Sequence, residues 1–420
     1  MKKLLIGSLV LILGVFVCLS SSPVEAVEPA WGDGFNIETA FDLKTLTQEN
    51  FYDVIVPLAK EEGSFVLFDF SNSFAPLWTE HIIPLFEEKY GIKVEHHSVK
   101  TDIAVQQMLA ARNAGQPSPV DLFFIGATQT QVLMDNGLAA NIPMHKLLPN
   151  AKELDETLAT VTNGVKHGGY MVPFHRNQTA IGYDSRFVKA EDLPTTFDEL
   201  LAWVKANPGK FAVTSPLRGG SGNGTMEGLM LHYVEGNCRD ALFNFDITDE
   251  EVKAWIEEGC LEPVEKFYKE FNPVVEITNG NSDTLNLIAN GEAYMGTVWE
   301  DMAYDFIGRG LLPQTVRFFL LKDGQVGGGD GIFLPSTSNK PAAAMLFLDF
   351  VISRDIQVLK LKVNGSRSAR LDLSVQELLD EKEASRLIPD AQYPAYAREH
   401  VPIPIKELGN DWYEATIVGQ

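Results

Sequence analysis

Three polar residues follow the first clear strand pattern of the chain. Residues 64–70, SFVLFDF, predict a strand, and Ser71, Asn72 and Ser73 stand between it and a helix with Pro76 in its first turn. In open α/β sheets, ligands bind outside the carboxyl ends of strands, where backbone N–H groups at a helix start are free to donate. These residues therefore predict a ligand contact, although Ser73 as an ordinary N-cap explains part of the pattern.

A glycine-rich stretch follows a second predicted strand, residues 211–214. It reads SPLRGGSGNGTMEG, with Arg218 beside the potential donors Ser221, Asn223 and Thr225. The pattern is neither a Walker A sequence nor GxGxxG, and Asn223 stands where GxSxG requires its second glycine. We therefore interpret the stretch as a backbone loop that contacts a ligand, rather than as a nucleotide site or a nucleophile elbow.

A tryptophan and two carboxylates end a third predicted strand, residues 293–298. Trp299, Glu300 and Asp301 could bind a cation through the ring face and through charge. The alternative is a core tryptophan followed by acidic residues that favour any helix N-terminus.

Residues 168–187, GGYMVPFHRNQTAIGYDSRF, predict the strand that connects two halves of the protein. Apolar residues alternate on both sides of the polar run His175, Arg176, Asn177 and Gln178. Pro173 should interrupt hydrogen bonding there, because it has no N–H. We interpret the run as facing a cleft between two lobes; a polar edge strand is the alternative.

The order of elements predicts an α/β fold. Strand and helix patterns alternate from residue 64 onward, and Thr128 lies in the loop that follows the buried strand 120–126. A length of 420 residues exceeds the usual size of one core and predicts two domains. Residues 27–62 precede the first strand and are expected to form an extension with one amphipathic helix.

The N-terminus has the charged, apolar and small-residue order of a secretory signal. Lys2 and Lys3 precede an apolar run and the sequence Val24-Glu25-Ala26, which predicts cleavage after Ala26 (residues 1–26) and a periplasmic protein. A lipid anchor at Cys18 is the less favoured alternative, because Val17 is a poor lipobox residue. The net charge of −23 becomes −24 without this segment, which argues against nucleic acid or anionic membrane as a partner.

Two cysteines remain after that segment, Cys238 and Cys260. In an oxidising compartment they predict a disulfide, with two buried thiols as the alternative. No CxxC spacing occurs and only His232 lies near either cysteine, so a metal site is disfavoured. No cofactor and no metal are expected.

Between residues 63 and 355 the chain resembles the extracellular solute-binding proteins of bacterial ABC importers, of the two-lobe type that includes polyamine, thiamine, iron and maltose binders. The resemblance is carried by FEEKYGIKVE, VDLFFIGATQTQVLMDNGLAANI, AIGYDSRFV, LPTTFDELLAWVKANPGKF, ANGEAYMGTVW and GGGDGIFLPSTSNKPAAAMLFLDFVIS. ANPGKF, the glycine-rich stretch and the long C-terminal tail are most similar to the YnjB-like branch. Iron-binding members usually carry adjacent tyrosines, and no tyrosine here has a tyrosine neighbour.

The resemblance implies a type II periplasmic-binding-protein fold, with two α/β lobes that close on a ligand. Lobe 1 would comprise residues 63–177 and 314–352, and lobe 2 residues 178–313 and 353–420. The complete candidate ligand-binding set is Ser71, Asn72, Ser73, Thr128, Arg176, Asn177, Arg218, Ser221, Gly222, Asn223, Thr225, Trp299, Glu300 and Asp330.

The expected function is capture of a small solute and its delivery to an ABC permease in the inner membrane by a monomeric, non-catalytic protein. A periplasmic enzyme or a ligand sensor on the same fold is the alternative. For the solute, Arg176, Arg218 and the helix starts slightly favour an anionic, zwitterionic or strongly polar organic molecule. Trp299, Glu300 and Asp301 support a cationic amine as the runner-up.

Overall fold

The computed structural model describes residues 34–126 and 129–419. The predicted signal segment, Cys18 and Thr128 lie outside these residues, and the expectations about them remain predictions. In the part of the chain that is described, no helix is long and apolar enough to cross a membrane.

The strands confirm the predicted alternation. They are β1 (Ser64–Asp69), β2 (Lys93–Ser98), β3 (Leu122–Gly126), β4 (Val161–Thr162), β5 (Val165–Lys166), β6 (Met171–Asp184), β7 (Phe211–Thr214), β8 (Glu276–Thr278), β9 (Met295–Trp299), β10 (Val316–Phe319), β11 (Gln325–Phe333) and β12 (Ala397–Arg398).

One sheet runs through the protein in the order β2-β1-β3-β11-β6-β9-β7-β8. Strands β1, β2 and β3 are parallel to one another, as are β7, β8 and β9. The long strands β6 and β11 are antiparallel to each other, and they join the two parallel groups. This is the mixed α/β architecture that the sequence predicts.

The strand β6 is the predicted crossing segment. Its first half pairs with β11, and its second half, from Thr179, pairs with β9 and β10. The β6–β11 register shifts between Asp330 and Gly331, opposite Pro173. The ladder is irregular at the point where proline cannot donate a hydrogen bond.

Helices cover the sheet on both faces. They are α1 (Phe51–Glu62), α2 (Ile83–Tyr90), α3 (Thr101–Asn113), α4 (Thr130–Asp135), α5 (Met144–Leu147), α6 (Phe197–Ala206), α7 (Gly220–Tyr233), α8 (Asn237–Ala241), α9 (Asp249–Glu257), α10 (Glu262–Phe271), α11 (Asn281–Ala289), α12 (Glu300–Gly308), α13 (Pro341–Val351), α14 (Arg354–Asn364), α15 (Val375–Leu378), α16 (Glu381–Ala384), α17 (Tyr393–Tyr396) and α18 (Ile403–Tyr413). A π-helical segment, Leu77–Ile82, precedes α2, and Glu414–Val418 follows α18.

Local sequence explains several helix ends. Helix α2 ends at Gly91, whose φ of 72° lies in the left-handed region that glycine tolerates. Thr196 caps α6 by accepting from the Glu199 N–H. The Glu199 carboxylate accepts from the backbone N–H and the hydroxyl of Thr195.

Each group of strands has its own hydrophobic core. The first group packs Phe68, Phe123 and Ile125 against Met108 of α3. The second group packs Ile181 and Phe211 against a larger set of helices that includes α7 and α10. Strand β10 contributes Val316 and Phe318 to a third cluster on the other face of the second group. Burial of these side chains is the main stabilising term of each group.

The predicted disulfide is confirmed: Cys238 and Cys260 are bonded, with Cα atoms 5.6 Å apart. It joins α8 to the residues that follow α9. A loop of this length closed by a disulfide stabilises the fold by roughly 3 kcal/mol on the chain-entropy model.

The C-terminal tail, from Asn364 onward, contacts the segment that precedes β4 and the second group of strands. Asp155 N donates to Ala369 O, and Leu371 N donates to Glu153 O. Farther along, Ile388 is buried with Val298 of β9 in the third cluster. The tail therefore runs from that segment to the second group.

Candidate functional site

An acidic centre lies where the ends of β3 and β9 approach the crossing strands. His175 Nε2 is 3.5 Å from Asp301 Oδ2 and 4.0 Å from Asp330 Oδ2. Asp330 is in register with Gly126, the last residue of β3, and with His175. The Asp301 and Asp330 side chains are 23% and 15% exposed, so both are partly buried. We call His175, Asp301 and Asp330 the acidic centre.

The imidazole of His175 is held in place and neutral. Its Nδ1 is 2.6 Å from Ser366 Oγ of the tail. Burial, assisted by the nearby Lys360, holds the pKa of His175 well below its usual value. A neutral ring cannot neutralise the two carboxylates beside it.

The pKa of Asp301 is shifted by its surroundings. Burial, together with the adjacent Glu300, raises the pKa of Asp301 to about 6, although the Met302 N–H opposes the rise. Its Oδ1 is buried and has no hydrogen-bond partner of standard geometry among the described residues. Buried polar atoms are normally paired, so this oxygen has capacity for a donor from a ligand.

The buried amine of Lys360 lies near the acidic centre. Lys360 of α14 donates to Ser366 Oγ at 2.9 Å and to Arg367 O at 2.6 Å. Burial holds the pKa of the Lys360 amine well below its usual value, against the opposing charge of Asp301. Lys360 is therefore a weakly charged partner for Asp301, and the acidic centre carries a negative charge when its carboxylates are ionised.

Aromatic rings surround the acidic centre. The Phe74 ring lies 4.8 Å from the His175 ring. A Cβ built on Gly126 would lie 3.6 Å from the Phe70 ring and 3.7 Å from Asp330 Oδ1, which places that ring beside the carboxylate. Electron-rich ring faces near carboxylates suit an organic cation better than an anion.

Trp299 is the N-cap residue of α12, two residues before Asp301. Its indole packs against the backbone at Gly220, the first residue of α7. A Cβ on Gly220 would lie 2.7 Å from Trp299 Cζ2. Only glycine allows the start of α7 to approach the indole this closely. Trp299 is partly exposed, consistent with a surface on which a ligand could stack.

The polar residues after β1 form a small turn. Ser71 N donates to Asp69 Oδ1, and the Ser71 and Ser73 hydroxyls are 2.7 Å apart. The expected capping role of Ser73 is wrong, because its hydroxyl pairs with Ser71 and no side-chain cap is present. Asn72 and Ser73 are exposed.

The glycine-rich stretch is helical where the sequence predicted a loop. Residues from Gly220 onward begin α7, since small residues let the helix pack closely on the sheet. A Cβ on Gly222 would lie 1.8 Å from Thr214 O. Ser221 Oγ donates to Asn281 Oδ1, and Thr225 Oγ1 to Ser221 O.

Two further residues of this stretch also lie away from the acidic centre. Asn223 Nδ2 donates to Asn410 Oδ1 at 2.8 Å. Arg218 is exposed, and its backbone N–H donates to Ser215 O in a turn. In the glycine-rich stretch, Ser221, Asn223 and Thr225 therefore use their side-chain donors within the protein.

Arg176 and Glu300 also contact groups other than the acidic centre. Neighbouring strand residues point to opposite faces, so Arg176 faces away from the His175 side. Its guanidinium lies 5.0 Å from the Tyr393 ring centroid and 3.5 Å from Glu399 Oε1. Glu300 is buried and accepts from Arg367 Nε at 2.7 Å and Nη2 at 2.9 Å.

Asn177 remains a candidate. It is partly buried, and its Oδ1 has no hydrogen-bond partner among the described residues. The residues that sequence reasoning missed are Phe70, Phe74, Lys360 and Ser366. His175 stood in the polar run that the sequence singled out, whereas Lys360 of α14 and Ser366 of the tail carried no signal.

Comparison with known proteins identifies the family of this chain. Residues 82–384 match the family model described as bacterial extracellular solute-binding protein. Since this match spans more than half of the chain, the protein belongs to that family. The family and the similar structures are binding proteins of transport systems. No curated protein matches the chain.

Solved structures share the two-lobe fold at low identity. An extracellular solute-binding protein from Bordetella parapertussis is 13% identical with a TM-score of 0.66, covering 85% of this chain and 99% of that one. The spermidine/putrescine transporter substrate-binding protein PotD from Streptococcus pneumoniae is 13% identical, with a TM-score of 0.61 and coverage of 85% and 98%. Iron-bound HitA from Pseudomonas aeruginosa is 16% identical, with a TM-score of 0.54 and coverage of 84% and 99%. The type II fold class predicted from the sequence is confirmed.

Proposed function

We propose that the protein captures a small organic cation, an amine or quaternary ammonium, and delivers it to an ABC permease. The observation that carries the proposal is the placement of Asp301 and Asp330 around a neutral His175 at the ends of the strands. The family assignment and the polyamine binder among the similar structures support it.

The charge balance supports a cation over an anion. An anion in the acidic centre would be repelled by two carboxylates, while Lys360 is already bound to Ser366 and Arg367. A protonated amine could donate hydrogen bonds to both carboxylates, and hydrogen bonds to charged groups are each worth about 1.5–3 kcal/mol. Stacking on Trp299 or Phe74 would add about 0.5–2 kcal/mol.

The anionic or zwitterionic solute favoured by the sequence depended on Arg176 and Arg218. Arg176 contacts Tyr393 and Glu399 and so is engaged away from the acidic centre. Arg218 is exposed, and no hydrogen bond or ion pair among the described residues joins its side chain to Asp301 or Asp330. A zwitterion whose amine binds Asp301 stays compatible with the proposal. Asn177 and the Ser71–Ser73 turn would then contact its polar end.

The pairing of the strands suggests where the two lobes divide. We propose the division expected from the sequence with one change, which moves β10 to lobe 2 because it pairs with the second half of β6. Cleavage after Ala26, a periplasmic location, a monomeric state and membership of the YnjB-like branch are kept as parts of the proposal.

Titration calorimetry and thermal shift test the ligand class. Spermidine, putrescine and a quaternary ammonium should bind, and small-angle scattering should show the particle shrink as the lobes close. Succinate at equal ionic strength should not bind at the acidic centre. If none of the amines binds, the cation proposal is wrong while the family assignment stands, whether or not succinate raises the melting temperature.

A second candidate, a hydrolase, is favoured by one observation. Ser366, His175 and Asp301 form a serine–histidine–aspartate chain, with Oγ 2.6 Å from Nδ1. However, Ser366 is fully buried and its Oγ also accepts from Lys360. A fluorophosphonate probe should leave Ser366 unlabelled, and stoichiometric labelling would reverse the choice.

A further inference from the structure

A cavity lies on the opposite side of β6 from the acidic centre. Its volume is about 520 Å³. Asp155 and Thr157 form one wall, and tail residues from Arg367 to Val375 and from Asp390 to Glu399 form most of the rest. Arg176 reaches it from the crossing strand, because its side chain points away from the His175 side. The cavity is therefore separate from the proposed solute site.

Three polar atoms of this cavity lack hydrogen-bond partners among the residues that the structure describes. They are Arg176 Nε, Tyr393 Oη and Glu399 Oε2, and each is buried. Such atoms are uncommon in folded proteins and usually indicate an ordered water, an ion or a ligand. Their concentration in one cavity with room for a small molecule indicates a binding site.

The available groups are mainly donors. Arg176 Nε and Tyr393 Oη each carry a proton to donate. Burial raises the pKa of Glu399 to about 7, against the opposing charge of Arg176, so near neutral pH its carboxyl group also carries a proton much of the time.

The cavity wall carries more guanidinium groups than carboxylates. Its charged residues are Arg176, Arg367, Arg370, Arg398, Asp155, Asp390 and Glu399. The Arg176 and Arg367 groups lie 5.0 Å and 4.1 Å from the centroid of the same Tyr393 ring. Arg367 and Arg370 are already paired with Glu300 and Asp372, so recognition depends on the unpaired Arg176 donor.

We propose that this cavity binds a small oxyanion, a carboxylate, sulfate or phosphate group, which accepts hydrogen bonds from Arg176 Nε and Tyr393 Oη. Planar or tetrahedral oxyanions present several oxygens at once, and guanidinium donors match them geometrically. The tail is held against β6 beside the site, because the Arg176 backbone N–H donates to Arg367 O. The inference does not depend on the proposed function, because the two sites share no side chain.

The test uses sulfate, phosphate and malonate on the full-length purified protein, with chloride at matched ionic strength as the reference. At least one oxyanion should raise the melting temperature more than chloride does. Tyr393→Phe, which removes only the hydroxyl, and Arg176→Gln should each weaken that anion about ten-fold or more. Tyr393→Phe should leave amine affinity unchanged.

Selenate provides a readout that does not depend on a variant folding. Anomalous diffraction from crystals grown with selenate should place selenium in the cavity, with an oxygen in hydrogen-bond distance of Arg176 Nε. The proposal is overturned if selenate binds only elsewhere. It is also overturned if no oxyanion stabilises the protein beyond chloride, or if both variants keep the original anion affinity.

Discussion

Glu300 and Asp301 are adjacent in sequence but have different partners. Glu300 is 1% exposed and binds Arg367 through two hydrogen bonds, whereas the Asp301 side chain is 23% exposed and lies 3.5 Å from His175. The first carboxylate therefore holds the tail against α12, and the second is available to a solute. The predictions below separate these two roles.

Asp301→Asn should abolish most of the amine affinity. The substitution keeps the shape of the side chain and removes the charge that would pair with the cation. Truncating one member of a buried charged pair costs about 2–5 kcal/mol, so the dissociation constant should rise at least about 30-fold by calorimetry. Asp305→Asn is the control, because Asp305 lies on the same helix and is paired with Arg309 at the surface. Equal affinities for the two variants would exclude Asp301 as a ligand contact.

Amine binding should weaken below pH 6. Burial raises the pKa of Asp301 to about 6 in the empty protein, so the carboxylate is charged above that pH and protonated below it. Since an aliphatic amine stays charged from pH 5 to 8, affinity should be nearly constant above pH 7. Below pH 6 it should fall by up to about ten-fold per pH unit. Titrations across this range on the parent protein and on Asp301→Asn check it. A flat profile for the parent protein would contradict the assignment.

Arg367→Met should destabilise the fold strongly. It leaves the buried Glu300 carboxylate without its partner, and breaking a buried ion pair in this way costs about 3–5 kcal/mol. Urea unfolding followed by circular dichroism measures the loss. The matched control is Arg309→Met, since the Arg309–Asp305 pair on α12 is exposed and worth only about 0.3–0.5 kcal/mol. A loss no larger than that of the control would show that Arg367 does not stabilise the tail.

Gly220→Ala should reduce solute affinity with little loss of stability. The added methyl group would lie 2.7 Å from the Trp299 indole and must displace it, while alanine is a better helix former than glycine. If Trp299 stacks on the cation, affinity should fall about two- to thirty-fold. Gly308→Ala in α12 is the control, because no atom lies within 4 Å of its added Cβ. Unchanged affinity in Gly220→Ala would remove Trp299 from the site.

The sequence by itself determined the alternation of strands and helices, the crossing strand β6 and the pairing of Cys238 with Cys260. The strands and the crossing segment depend on a local pattern, a period of two in apolar residues. The disulfide followed because two cysteines remain after the predicted signal segment. The resemblance to solute-binding proteins then supplied the two-lobe fold, because its motifs keep their order over most of the chain.

Only the tertiary structure decided which polar residues meet. Asp330 joins Asp301 because the registers of β3, β11 and β6 place it beside His175, and no local pattern specifies register across three strands. Neighbouring strand residues alternate between faces, so Arg176 points away from the side of His175. That Tyr393 lies on the Arg176 side is visible only once the tail is folded. The glycine-rich stretch became a helix because close packing of small residues on β7 outweighs their weak intrinsic helix propensity.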